Sequence, residues 1–259
     1  MINIVKIGGG VIENEHDLTV FLTSFSKIPG KKILVHGGGR LATKLANKLG
    51  VTTKMIEGRR VTDDAMLEIV TMVYGGLANK KIVAALQANK INALGLSGAD
   101  GNIILAHKRP VKDVDYGWVG DIDEINVDLL LTLLDQGIVP VIAPLTHDGN
   151  GTMLNTNADT IASAVASAIS TREDAQLVLG FELDGVLRDP KDENSVITKI
   201  TPQLFDLYKK NGIITDGMIP KLSNAFNAIK AGVSAVKICN AMKISDAVTQ
   251  ENIGTTITS

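Results

Sequence analysis

The sequence predicts an α/β protein built on a mostly parallel sheet. Three observations carry that reading. Short β-branched apolar runs alternate with longer amphipathic stretches, the runs are apolar at consecutive positions rather than at every second one, and two of them end in glycine clusters. Strands apolar on both faces belong to sheets covered by helices on both sides. In such sheets a ligand sits beyond the carboxyl ends of the strands.

Taken in order, Ile2 to Ile7 reads as the first strand and Glu13 to Ile28 as a helix. Lys32 to His36 is a second strand, and Arg40 to Leu49 the helix after it. Asp64 to Asn89 has helical periodicity, weakened in its middle by Gly75-Gly76 because glycine in a helix interior costs about 1 kcal/mol relative to alanine. Ile91 to Leu96 follows as a strand and Ile103 to His107 as extended chain, before a turn-rich segment through Tyr116-Gly117-Trp118-Val119-Gly120. Asn126 to Gln136 is helical, Ile138 to Ala143 a continuous apolar strand, and Thr146 to Thr152 a loop. Ala158 to Ser170 is a helix of small residues, suited to close packing on a sheet. Ala175 to Leu179 is a strand, Pro202 to Asn211 and Met218 to Ala231 are helices, and Ala235 to Ile238 is a strand; Gly254 to Thr258 is expected as a last edge strand. No linker, repeat or low-complexity segment intervenes, so residues 1–259 are expected to form one domain of two lobes sharing one sheet.

Composition excludes several function classes. The 259 residues carry 26 Lys+Arg against 28 Asp+Glu, a net charge of −2, which removes any general argument for nucleic acid or an anionic membrane as partner. With 45% apolar and 21% charged residues the chain is globular rather than disordered. No apolar run approaches the ~20 residues of a membrane span; Ile138 to Leu145 is among the longest and contains Pro140 and Pro144. The glycines that start at Gly8 interrupt any signal-peptide apolar core. Cys239 is the only cysteine, so there is no intrachain disulfide, and a reducing compartment is expected. His16, His36, His107 and His147 are scattered, without zinc spacing. A cytoplasmic enzyme is the default expectation.

Two strand-to-helix junctions are glycine-rich, Lys6-Ile7-Gly8-Gly9-Gly10 and His36-Gly37-Gly38-Gly39. Glycine there lets the backbone approach a ligand and aims N–H groups at an anion. One such turn is compatible with packing alone, but two in consecutive βα units at the ligand edge favour a binding role. The second turn reads Gly37-x-Gly39-x-x-Ala42, a tolerable dinucleotide fingerprint. Its ribose-binding acid would have to be Glu57, which sits in Glu57-Gly58-Arg59-Arg60 and does not read as a strand end, so a dehydrogenase is disfavoured. A G-x-x-x-x-G-K-[ST] loop and the protein-kinase motifs are both absent from the sequence. Lys6 stands just before a glycine turn, where a lysine can simply snorkel at the sheet rim. Lys221 follows the turn Thr215-Asp216-Gly217-Met218-Ile219-Pro220, and an ordinary exposed helix lysine would look the same. Asp159 lies just inside a helix start, where an acid complements the helix dipole, and Asn157 is a candidate N-cap.

Together the segments Lys6-Ile7-Gly8-Gly9, Val35-His36-Gly37-Gly38-Gly39, Gly58-Arg59-Arg60-Val61-Thr62, Gly95-Leu96-Ser97-Gly98, Asn155-Thr156-Asn157-Ala158-Asp159 and Ile213 to Lys221 resemble the amino acid kinase family, most closely its branch that phosphorylates N-acetyl-L-glutamate. Their order spans nearly the whole chain. The resemblance implies a three-layer αβα sandwich, with acylglutamate binding and dimerisation in an N-lobe of about residues 1–173 and ATP binding in a C-lobe of about 174–259. It implies transfer of a phosphoryl group from ATP, with Mg²⁺ held mainly by the nucleotide phosphates, to the γ-carboxylate of an N-acylated glutamate, the second step of arginine synthesis. Lys6 and Lys221 would flank the transferring group and Asp159 would organise them. Gly38 and Gly39 would bind substrate through the backbone, Arg60 its α-carboxylate and Asn155 a further polar group. Gly8 and Gly9 would meet the nucleotide, whose loop falls on Glu182, Leu183, Asp184, Gly185, Val186 and Leu187, with Ile213, Ile214 and Thr215 opposite. No protein-held metal is expected.

The chain departs from that family at two places. Phe181-Glu182 stands where relatives usually carry a small polar residue and then Asp, and Arg59 stands where many carry an apolar residue. Arg59 is either an exposed arginine without a role or a partner for an additional carboxylate, such as a succinyl group in place of acetyl. Glutamate 5-kinases and aspartokinases usually add a C-terminal domain, and the substrates of carbamate and uridylate kinases make no obvious use of the Arg60 and Asn155 segments. A non-catalytic metabolite-sensing module on the same fold is the alternative from another class. Relatives inhibited by arginine carry an extra helix before the first strand, so a chain whose strand begins at residue 2 is expected to be a homodimer without that feedback.

Overall fold

The computed structural model describes residues 1–56, 58–214 and 218–259, without the side chain of Pro220. The chain runs β1 (Ile2–Ile7), α1 (Gly9–Glu13), α2 (Glu15–Ser26), β2 (Lys32–His36), α3 (Gly39–Lys48), β3 (Met55–Ile56), β4 (Arg59–Arg60) and α4 (Asp64–Val70). After a π-helical stretch, Thr71–Ala78, come α5 (Asn79–Ala88), β5 (Ala93–Leu96), β6 (Ile104–Lys108), β7 (Gly120–Ile125), α6 (Val127–Asp135), β8 (Val139–Ile142), β9 (Leu145–His147), β10 (Met153–Asn155) and α7 (Ala158–Ser170). The remainder is β11 (Ala175–Phe181), β12 (Lys199–Ile200), α8 (Pro202–Lys210), α9 (Ile219–Lys230), β13 (Ala235–Asn240), α10 (Ile244–Thr249) and β14 (Thr255–Ile257).

The central sheet has the order β12-β14-β13-β11-β1-β2-β8-β5. The six strands from β13 to β5 are parallel, whereas β14 lies antiparallel to β13 and pairs parallel with β12. β1 is the pivot, because its register pairs Lys6 with Val35 on one side and with Leu179 on the other. Its alternate side chains enter two separate cores. Ile2 and Ile4 pack with residues of α6, α7, α8 and α9, and Val5 and Ile7 with residues of α1, α2, α5 and α10. Three layers result, as expected. A smaller sheet, β10-β9-β6-β7, and the β3–β4 hairpin lie beside the ends of β2 and β8.

Helix boundaries follow local chemistry. Asn14, Asp63, Asn126, Asn157 and Thr201 cap α2, α4, α6, α7 and α8 through their side chains. Asn14 thereby starts α2, the helix expected from Glu13 to Ile28, and separates it from the short α1, which was not expected. At their C-terminal ends, α2 and α10 are met by buried lysines. Lys32 Nζ donates to the carbonyls of Phe25, Ser26 and Ile28, and Lys237 Nζ to those of Ala247 and Gln250. Burial lowers the pKa of both lysines.

The stretch expected as one helix from Asp64 to Asn89 is continuous, but its centre, holding Gly75-Gly76, is π-helical. By length and composition it could cross a membrane; here Met66, Ile69, Val70, Val73, Ile82 and Leu86 are buried against the rest of the chain. Two expectations are corrected. Thr146 to Thr152 is not all loop, since β9 and β10 form a hairpin pairing Met153 with His147. The last strand is not at the edge, because β12 pairs outside it.

Candidate functional site

The cleft lies at the carboxyl ends of β1, β2 and β11. There the two glycine turns touch backbone to backbone: Gly37 N–H donates to Ile7 O at 3.0 Å, and a Cβ on Gly37 would stand 3.1 Å from Gly9 N. A Cβ on Gly9 would meet the backbone nitrogens of Gly39 and Gly38 at 3.4 and 3.5 Å. A methyl on Gly37 would crowd the first turn, whereas one on Gly9 would make ordinary contact with the second. Among the described residues, α1, α3 and α9 begin without a side-chain cap, which leaves the free N–H groups of α3 for an anion. Beneath the second turn His36 is fully buried, with Nδ1 2.6 Å from Gly37 O and Nε2 3.2 Å from Asn79 Nδ2. Burial pushes its pKa down to about 4, against a small opposing effect of the Gly37 hydrogen bond. At neutral pH it is an uncharged strut.

One cavity takes Lys6, Gly9, Gly38, Gly39, Arg60, Asn155 and Asp159. Lys6, only 6% exposed, points to the face that carries α7, and its Nζ lies 2.9 Å from Asp159 Oδ1 in the first turn of that helix. Asn157 caps α7 through the N–H groups of Asp159 and Thr160, which fixes where the carboxylate stands. Arg60, 8% exposed, donates from Nη2 to Gly39 O at 2.9 Å and to Thr43 Oγ1 at 2.8 Å. Among the described residues no carboxylate comes within 4.0 Å of its guanidinium. A buried cation without a counter-charge is costly, and an anionic ligand would relieve that cost. Asn155 Nδ2 donates to Thr62 Oγ1 at 2.9 Å, leaving its carbonyl oxygen to accept from a ligand.

A second cavity takes Gly8, next in sequence to Gly9 of the first, together with Glu182, Leu183, Gly185 and Lys221. Lys221 sits 4.2 Å from the centroid of the Phe181 ring, and Lys6 lies 5.6 Å from the same centroid. Burial lowers the Lys221 pKa; Asp159 and Glu182 oppose that shift, and Lys6 adds to it. Residues of the first strand and of a helix more than 200 positions later thus reach the same aromatic ring.

Other expected nucleotide residues lie elsewhere. Asp184 pairs with Lys243 at 2.7 Å, Val186 is buried with its N–H donating to Thr255 Oγ1, and Leu187 bridges to Val196. Ile214 is in the core and Ile213 packs against it. Thr215, and Glu57 weighed earlier as a ribose ligand, lie outside the described residues.

Three cleft residues carry no sequence signal strong enough to single out their roles. The buried Tyr74 ring lies against Gly38, where a Cβ would be 2.7 Å from Cδ1, and burial raises the pKa of its phenol. Its position beside Gly75-Gly76, in a weak helix, was the available hint. Arg109 lines the first cavity while paired to Asp121 at 2.6 Å. Phe181 was visible only as a departure from pattern.

A model of the amino acid kinase family matches residues 1–240. An acetylglutamate kinase of Phocaeicola vulgatus is 57% identical over 245 residues, covering 95% of each chain. Another from Cytophaga hutchinsonii is 54% identical, covering 97% of this chain and 96% of that one. Among solved structures, N-acetylglutamate synthase of Neisseria gonorrhoeae, complexed with coenzyme A and N-acetyl-glutamate, superposes with a TM-score of 0.83 at 23% identity; the match spans all of this chain and 59% of that one. That likeness concerns the fold.

Proposed function

The chain belongs to the amino acid kinase family, and from that footing we propose that it moves the γ-phosphoryl group of ATP onto the γ-carboxylate of N-acetyl-L-glutamate, the second step of arginine biosynthesis. The observation that carries this reading is the convergence of Lys6, paired with Asp159, and Lys221 on the Phe181 ring, with one lysine lining each of the two cavities.

The chemistry asks little of a general base. A γ-carboxylate with a pKa near about 4.3 is ionised at neutral pH, so its oxygen attacks phosphorus directly while the bond to the β–γ bridging oxygen breaks and ADP departs. The obstacle is repulsion between anions. Alignment and fixed positive charge must overcome it. In this reading Arg60 holds the substrate α-carboxylate, Asn155 accepts from its amide, and the N–H groups at Gly38 and Gly39 bind its oxygens. Lys6 and Lys221 face the transferring group from opposite sides, and Asp159 keeps Lys6 directed. Gly8, Gly9 and the Glu182–Gly185 loop receive the phosphates and adenosine. Mg²⁺, arriving on the nucleotide, would neutralise charge on its phosphates. Asp159 suits such an ion, since among the described residues its buried Oδ1 has no aligned hydrogen-bond donor although Lys6 approaches it. The same reading divides the chain into an acylglutamate-binding, dimer-forming lobe of about residues 1–173 and a nucleotide lobe of about 174–259, within a cytoplasmic homodimer.

Trapping the acyl phosphate as a hydroxamate tests the proposal. ATP-dependent hydroxamate with N-acetylglutamate, and little with free glutamate or aspartate, is expected; none with any acylglutamate would leave a sensing module as the better account. One observation favours a second substrate. Arg59 is exposed on the rim of the first cavity and, among the described residues, has no carboxylate within 4.0 Å. An N-succinyl group would bring it a carboxylate. Higher kcat/KM for N-succinylglutamate, lost in Arg59→Ala, would establish that variant of the reaction, whereas equal or better use of the acetyl compound would dismiss it.

A further inference from the structure

We propose that Phe181 is a positioning residue for phosphoryl transfer, its ring serving as a shared platform that holds the Lys6 and Lys221 ammonium groups on either side of the transferring group. The inference rests on the kinase reading above and adds to it a residue to which that reading gives no role.

Sheet geometry places the ring there. Lys6 pairs with Leu179 across β1 and β11, so both side chains point to the same face. Phe181, two residues beyond Leu179, points to that face again. α7 and α9 cover this face, and their first turns deliver Asp159 and Lys221. The backbone of Phe181 is fixed by pairing with Asn240, whose Nδ2 donates to Glu182 O at 3.1 Å. The strand pairing therefore fixes the Cα from which the ring projects.

Electrostatics gives the ring something to do. Two neighbouring ammonium groups repel, and among the described residues Asp159 is paired with Lys6 alone, at 2.9 Å. The face of an aromatic ring attracts a cation within about 6 Å of its centroid, a condition that both Nζ atoms meet at 4.2 and 5.6 Å. A ring also lends this attraction without competing for the ammonium protons, as a carboxylate would, so those donors stay available to phosphate oxygens. Among the described residues, the charged groups that act on Lys221 are Asp159 from α7, Lys6 from β1 and Glu182 after β11. Glu182 in turn lies 3.7 Å from Arg40.

Phe181→Leu, which keeps apolar bulk but removes the π-face, tests the role. The expected result is a fall in kcat of about tenfold, with KM for ATP and acylglutamate changed less than about twofold. The alkaline limb of the kcat–pH profile should move to lower pH, because Lys221 stays desolvated but loses attraction for its charged form. Phe181→Tyr should recover most of the rate and the original limb. In wild-type protein labelled with ¹³C at lysine Cε, the Lys221 Hε signals, assigned by their loss in Lys221→Arg, should be shifted upfield by the ring; the shift should vanish in Phe181→Leu and persist in Phe181→Tyr. Unchanged kcat and limb in a folded Phe181→Leu would overturn the role, as would ordinary Lys221 Hε positions in the wild type. A wild type that makes no acyl phosphate would instead refute the kinase reading and the catalytic role with it, while the spectra still report the arrangement.

Discussion

His36 offers the sharpest stability test, because its environment sets both sign and size. The imidazole is fully buried beneath the second glycine turn, and desolvation holds its pKa at about 4 against an ordinary 6.5, with nearby Lys80 pushing in the same direction. In the unfolded chain it takes up a proton as pH falls through about 6.5; in the native protein it stays neutral until about 4. Its contribution is therefore fully present above pH 6.5 and is lost between there and pH 4. Each pKa unit corresponds to 1.36 kcal/mol, so the lost stability amounts to roughly 3 kcal/mol. Carboxylates titrate in the same window, and a variant isolates the histidine. His36→Asn keeps a side-chain donor near Gly37 O without the titration. Urea unfolding of both proteins at one concentration, from pH 7.5 to 4, should show the wild type losing about 3 kcal/mol more than the variant. Parallel curves would refute the assignment of a neutral, desolvated imidazole at this position.

The remaining predictions concern the cleft and the helix ends. Lys6→Ala should lower kcat by on the order of 100- to 1,000-fold while leaving KM for ATP nearly unchanged, as steady-state kinetics would reveal. Arg60→Ala should chiefly raise KM for the acylglutamate, at least tenfold, since the buried guanidinium is assigned to ground-state binding as well as to the transition state; an unaltered KM would remove that role. Lys32→Met should destabilise the fold by about 1–3 kcal/mol in urea melts, because three carbonyls at the end of α2 lose their donor. Gly37→Ala should depress turnover more than stability, given that the new methyl would press on the Gly9 backbone at 3.1 Å.

What the sequence disclosed follows from the strength of each local signal. α7 reads correctly from Ala158 to Ser170 because its small apolar residues repeat over a full helical face and Asn157 marks its start. The parallel strands are legible because their runs are apolar on both faces. The hairpins β3–β4 and β9–β10 escaped notice because strands of two and three residues have no period to detect, and their formation depends on neighbours distant in sequence. The weak centre of the Asp64–Asn89 helix was legible from Gly75-Gly76, but its π-helical turns and the seat of Tyr74 against Gly38 depend on tertiary packing. In the cleft, Lys6, Arg60, Asn155 and Asp159 were all named from motifs, and one cavity holds them. The nucleotide loop was less legible. The resemblance set the loop at Glu182 to Leu187 as one segment; within it Val186 is buried and Asp184 pairs with Lys243, a division fixed by strand and helix packing rather than by residue type.

The proposed phosphoryl transfer depends on both amines reaching the same phosphorus. A crystal structure with ADP, aluminium fluoride and N-acetylglutamate would measure this directly. The account predicts Lys6 Nζ and Lys221 Nζ each within about 3 Å of the fluoride ligands, on opposite sides of the metal. Either ammonium group turned away from the phosphoryl mimic would contradict it.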